Sequence, residues 1–133
     1  MSAKHNPLEL PDGLPVPEDD GACDHLLGAA VPSLLTPLVS GSVRDLAAES
    51  RQRRVVLFCF PRVGRPGLAP LGGEATWNSI PGARGCTPQC VSYANLADQF
   101  AVLGATVYGM STQSTMAAIK QNRYSGIGFL RYN

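Results

Sequence analysis

The sequence predicts an α/β domain whose core is a mainly parallel sheet with flanking helices. Two apolar runs carry the expectation: residues 55–60 (VVLFCF), stopped by Pro61, and residues 105–110 (ATVYGM). Between them, apolar residues at Tyr93, Leu96, Ala97, Phe100 and Leu103 fall on one helical face behind Thr87-Pro88. Strands that alternate with helical patterns in this way imply parallel pairing through crossovers.

Taken in chain order, residues 1–22 are rich in proline and form no regular helix; residues 1–25 are expected to be an extended arm across the domain that follows. Residues 25–39, broken by Pro32 and Pro37, are too short and too interrupted for a membrane span and read as a buried strand plus turn. The strand in it, 31–38, is expected at an edge because of its prolines. Gly41-Ser42 marks a turn, residues 42–46 a returning strand, and residues 47–53 a short helix. The uninterrupted run at 55–60 reads as a central parallel strand covered on both faces. Residues 62–82 show no periodicity and are rich in glycine and proline, so they are expected to be a long functional or inserted loop. Thr87 as N-cap and Pro88 at the first helical position open a helix that runs to a stop at Gly104. A second helix is expected over 111–122, on Met116, Ala117 and Ile119, with Gly126 as its terminator, and a further strand over 127–132.

The chain has 133 residues, one domain's worth, with net charge +1 and mean hydropathy 0.00. Its 14 glycines and 11 prolines point to long ordered loops. No apolar run reaches membrane length, and the N-terminus lacks the apolar core of a secretion signal, so a cytoplasmic protein is expected. The charge is unevenly placed. Residues 1–25 hold six acids and one lysine, whereas from Arg51 onward nine bases face two acids, Glu74 and Asp98. That balance suits either an ordinary solvated face or an electropositive site. The bases are not interleaved with aromatics, which argues against nucleic acid.

Four cysteines, Cys23, Cys59, Cys86 and Cys90, are the candidates for chemistry. Cys59 lies inside the apolar run and is expected in the core. Cys23 follows Glu18, Asp19 and Asp20, whose charge disfavours a thiolate. Cys86 stands where a helix begins, two residues after Arg84 and just before Thr87. Helix amides and a guanidinium both favour thiolate over thiol. Moving a thiol from about pKa 8.5 to about 6 takes roughly 3.4 kcal/mol, and a helix end supplies only about 0.3–2 kcal/mol. Arg84 and Thr87 are the local candidates for the remainder. Cys90, one turn further along the same face, either attacks an oxidised Cys86, after distortion of the terminal turn, or is a plain core thiol. A zinc site from Cys86, Cys90, His5 and His25 is disfavoured because the histidines are 20 residues apart in the arm. A nucleophile elbow and a phosphate loop are both missing from the sequence.

Several segments together resemble peroxiredoxins of the Q type, the bacterioferritin-comigratory branch of the thioredoxin-like superfamily. VVLFCFP at 55–61 is similar to the family's strand, GCTPQC at 85–90 to its active-site turn, and FAVLGATVYGMS at 100–111 to its next helix end and strand. Counted from Cys86, the positions Phe100, Leu103, Gly104, Val107, Gly109 and Ser111 align without a gap. Residues 14–34 and the IPGARGCT segment resemble a bacterial subgroup, so the likeness covers most of residues 11–115 and fades afterwards.

The resemblance implies a thioredoxin-like fold and a thiol-dependent peroxidase. It gives Cys86 as the peroxidatic and Cys90 as the resolving cysteine, an intrachain disulfide between them, and reduction by thioredoxin or a similar dithiol. No metal or organic cofactor is implied. The sequence departs from the family in three ways. Ala83 replaces a threonine, Cys90 follows Cys86 by four residues instead of five, and no peroxide-contacting arginine is assigned, Arg131 lying too near the end. Residues 26–133 are thus expected to be a partial domain without the family's C-terminal hairpin and last helix. An unpaired apolar sheet edge then results, suited to a homodimer. The alternative is a catalytically impaired thioredoxin-like fragment that senses redox state or binds a partner.

Overall fold

A computed structural model describes residues 10–62, 67–112 and 128–131. The arm has no helix over 10–22, and a single 3-10 turn follows at Asp24–Leu26. The chain then forms β1 (Leu35–Pro37), β2 (Val43–Asp45) and α1 (Leu46–Ser50), followed by β3 (Arg54–Cys59) and α2 (Glu74–Asn78). Next come α3 (Cys86–Asn95), α4 (Ala97–Val102), β4 (Ala105–Ser111) and β5 (Gly128–Arg131). It is an α/β arrangement: β3, β4 and β5 make a parallel sheet in that order, and helices flank it. β1 and β2 form an antiparallel hairpin across the expected turn, where Gly41 takes φ 98. The hairpin joins β5 through the Leu38–Leu130 bridge and a bond from Val39 N–H to Phe129 O of 2.9 Å.

Alternation along the strands divides the core in two. Val56, Phe58 and Phe60 pack with Val107 and Phe129 on the α3 side, where Cys86 and Cys90 also lie. Val55 turns to the other face, against Leu46, Tyr108 and Leu130. Two glycines make room for rings from adjacent strands. A Cβ on Gly109 lies 2.8 Å from Phe58 and 3.0 Å from both Phe60 and Phe129; one on Gly128 lies 2.6 Å from the Tyr108 ring. Gly109 is paired to Phe58, and Gly128 to Tyr108. Each ring therefore lies over the bare backbone of its cross-strand partner.

Asp45 caps α1, accepting from the N–H groups of Ala47 (3.0 Å) and Ala48 (3.2 Å). It also accepts from the Ser33 hydroxyl at 2.7 Å. That hydroxyl, ahead of the amide of Ala48, holds the Asp45 carboxyl below its ordinary value. Tyr108 OH donates to Glu49 at 2.9 Å and ties α1 to the central strand. Burial, with this bond second, pushes the Tyr108 hydroxyl up.

Several expectations are corrected. The run at 55–60 is not central: β3 is paired only to β4 among the described residues, and β4 takes the middle. Cys59 is exposed instead of buried. Residues 25–35 are exposed, not a buried strand; the regular pairing begins only at Leu35. The helix behind Cys86 is two helices, broken at Leu96, whose N–H is shared between Ser92 O and Tyr93 O. Leu96 and Leu103 are consequently exposed. The loop 62–82 contains α2. Ser111 closes β4 and does not open a helix; the rest of the helix expected over 111–122 lies outside the described residues, except for Thr112. The expected strand near the end is present as β5.

Candidate active site

α3 starts two residues earlier than the sequence suggested. Gly85 is its N-cap and Cys86 its first residue, so Thr87 is second and Pro88 third. Pro88 costs nothing there, since amides of the first turn have no partner within the helix. Thr87 is buried in this turn at 4% exposure, and it does not cap the helix. Cys86 and Cys90 are both free thiols. Cys86 is 6% exposed and Cys90 fully buried among the rings of the α3 face.

Elements from two parts of the chain meet at Cys86. α3 presents the sulfur at its N-terminal end, and the chain leaving β3 supplies the backbone N–H of Arg62 as a hydrogen-bond donor to it. The N–H of Cys86 itself is the second donor. The exit of β3 is fixed in turn by Ser111, whose hydroxyl donates to Pro61 O at 3.1 Å. Beside it, at the carboxyl ends of β3 and β4, a groove of about 400 Å³ is lined by Cys59, Phe60, Pro61, Met110, Ser111 and Thr112. This is the end of a parallel sheet where ligands commonly bind.

Electrostatics at the two sulfurs run against the expectation of a strongly activated thiolate. Burial pushes the Cys86 thiol up, and the amides of Arg62 and Cys86 oppose it without overcoming it. Cys90 is pushed up to about 12, by burial first and by the neighbouring Cys86 second. Arg84, expected to act on the sulfur, places its Nη1 3.1 Å from Asn78 Oδ1 on α2 and donates to it. Among the described residues, the groups that favour the Cys86 anion are backbone amides.

Cys86, Cys90 and Thr87 are thus brought together in the first turns of α3, while the Arg84 guanidinium is held on α2. Sequence reasoning missed Arg62, Trp77 and Asn78. Arg62 acts through its amide, which any residue but proline supplies, so its identity carries no signal. Trp77 is the chain's one tryptophan, and that was the available clue. Its Nε1–H donates to Ala83 O at 3.0 Å and closes the segment just ahead of Cys86. Among the described residues no group of three or more histidine, cysteine or acidic side chains is placed to hold a metal ion, and no helix is long and apolar enough to cross a membrane.

No family model matches the chain, and no curated protein matches it. Among solved structures, the chain is similar to Xanthomonas campestris peroxiredoxin Q, at 18% identity and a TM-score of 0.47 over 74% of its own length. The chain spans about half of that protein, 52% of its length.

Proposed function

We propose that the protein is a thiol-dependent peroxidase in which Cys86 reacts with hydrogen peroxide or an organic hydroperoxide. The observation that carries this reading is the Cys86 sulfur at the N-terminal end of α3, met by two backbone amides, with a second thiol one turn away. The Cys86 thiolate attacks one peroxide oxygen; the S–O bond forms, the O–O bond breaks, and water or an alcohol leaves. Cys86 is then a sulfenic acid. The Cys90 sulfur attacks it, the S–S bond forms, and water departs. A thioredoxin-like dithiol returns both cysteines to thiols and is itself oxidised. Cβ atoms four apart on a helix stand about 5–6 Å apart, and a disulfide needs about 3.5–4.5 Å. The first turn of α3 therefore loosens in the second step. Thr87 and Arg84 are the remaining residues of the site in this reading, and no cofactor takes part.

The test is a single turnover of reduced protein with one equivalent of hydrogen peroxide at neutral pH, followed by intact mass and peptide mapping. A loss of two mass units with a Cys86–Cys90 crosslink is expected. Cys86→Ser abolishes peroxide consumption, and Cys90→Ser stops at a Cys86 sulfenic acid that a dimedone probe traps. Turnover retained in Cys86→Ser overturns the proposal.

One observation favours a second reading, a catalytically impaired fragment that senses redox state or associates with a partner. The outer edge of β3 has no strand partner among the described residues, and it carries Leu57 at 42% exposure. A homodimer through that edge is then expected, disrupted by Leu57→Lys, as measured by sedimentation. A monomer that reacts rapidly with peroxide removes this reading.

A further inference from the structure

α2 is a single helical turn of five residues, too short to persist on its own merits. Its start is Gly73 at φ 86, and its end is closed by the Ser79 hydroxyl, which donates to Thr76 O at 2.8 Å. From that end two successive residues each reach six positions forward. Trp77 donates from Nε1 to Ala83 O at 3.0 Å, and Asn78 accepts from Arg84 Nη1 at 3.1 Å. Between them the backbone is bonded without a break into α3: Ala83 N–H to Ile80 O (3.1 Å), Gly85 N–H to Gly82 O (3.0 Å) and Gln89 N–H to Gly85 O (2.9 Å). The turn is also packed tightly. Gly82 is at φ 75, and a Cβ there lies 3.0 Å from Pro17 of the arm; one on Gly85 lies 3.3 Å from Gly82 O. The segment that α2 grips ends two residues before the Cys86 sulfur.

We propose that α2 is a brace for the reacting thiol, with Trp77 and Asn78 as positioning residues that set where the chain enters α3 and so where Cys86 lies. This rests on the reading of Cys86 as the peroxide-reacting thiol. Displacing a reacting atom by about 1 Å costs on the order of a hundredfold in rate, and these two bonds couple α2 to that placement. They differ in kind: Trp77 fixes the backbone at Ala83, and Asn78 fixes the side chain of Arg84.

The test is a cycle of Asn78→Ala, Arg84→Ala and the double variant, with Asn78→Asp as the conservative replacement and Trp77→Phe as an independent probe of the other bond. In each reduced variant, Cys86 modification by hydrogen peroxide and by iodoacetamide is timed and located by peptide mapping, with exposed Cys23 as the internal standard. Asn78→Ala and Arg84→Ala are each expected to slow Cys86 by about ten-fold, the double variant no further, and Asn78→Asp to stay within about two-fold of the parent because its carboxylate accepts the same bond. Trp77→Phe, which keeps the ring and loses the N–H, slows Cys86 as well. Rates in Asn78→Ala and Trp77→Phe equal to the parent, or a double variant whose losses multiply, overturn the brace. Should the parent itself react with peroxide no faster than free cysteine, the peroxidase reading fails, while the iodoacetamide cycle still decides the brace.

Discussion

Phe58→Ala is expected to cost about 3–5 kcal/mol of stability, a large part of the roughly 5–15 kcal/mol that holds a domain folded. Phe58 is 4% exposed and is the ring around which the α3 side of the core is assembled. It stacks on Tyr93 of α3 with ring centroids 4.2 Å apart and planes 7° from parallel, and on Phe60 at 5.8 Å. Tyr93 in turn meets Phe100 of α4 at 6.0 Å. Alanine therefore removes the ring on which Tyr93 of α3 stacks, and it empties the space over Gly109 that this ring now fills. Urea unfolding followed by far-UV circular dichroism measures the change, with Phe58→Leu as the milder comparison. A loss below about 1 kcal/mol contradicts the account, since even a partial collapse of the site leaves a cavity of that cost.

A second large effect is expected at alkaline pH. Cys86 and Cys90 both keep their protons in the fold at pH values where an ordinary thiol, at 9.0, has begun to lose its own. A raised value in the folded state means that the unfolded chain binds fewer protons above pH 9.0, so the stability from these groups is complete below that point. It is lost as pH rises toward the Cys90 value of about 12. Cys90 contributes up to about 1.4 kcal/mol per pH unit in this window, and Cys86 adds a loss of the same sign. Tyr108, also raised from its ordinary 10.0, adds a loss of the same sign. Denaturation midpoints under reducing conditions are expected to hold steady through neutral pH and to fall steeply above pH 9.0. Cys90→Ala is expected to flatten that fall, and an equally steep fall in it contradicts the assignment.

The sequence revealed the frame more readily than its arrangement. The runs at 55–60 and 105–110 were legible as strands because β-branched and aromatic residues were bounded by Pro61 and Gly104. Their order in the sheet was not, since an unbroken apolar run looks alike on a central strand and on an edge whose one face is well covered. The exposure of Cys59 follows from the same ambiguity. The start of α3 was legible to within two residues: Thr87-Pro88 marks a first helical turn, but its own amides do not say which residue opens it. The break at Leu96 was not legible, because the apolar stripe runs straight through it and neither glycine nor proline marks it. α2 was hidden for a physical reason. A single turn of helix has too few residues to show a period, and the bonds that sustain it come from Ala83 and Arg84, outside the turn itself.

The pairing of Cys86 with Cys90 on α3 was legible as spacing, and their environment was not. A helix N-terminus suggested a lowered thiol value; the packing of Phe58, Phe60, Val107 and Phe129 around the pair reverses the sign. Charge counting along the sequence cannot weigh that burial against two amides.

The division of the cysteines between exposed and buried positions gives the chain a gauge of its own opening. Cys23 and Cys59 stand in solvent while Cys86 and Cys90 lie within the core. A bulky thiol reagent therefore stops at two labels on the closed molecule and proceeds to four only when the α3 face parts from the sheet. The interval between the second label and the third measures how often that happens.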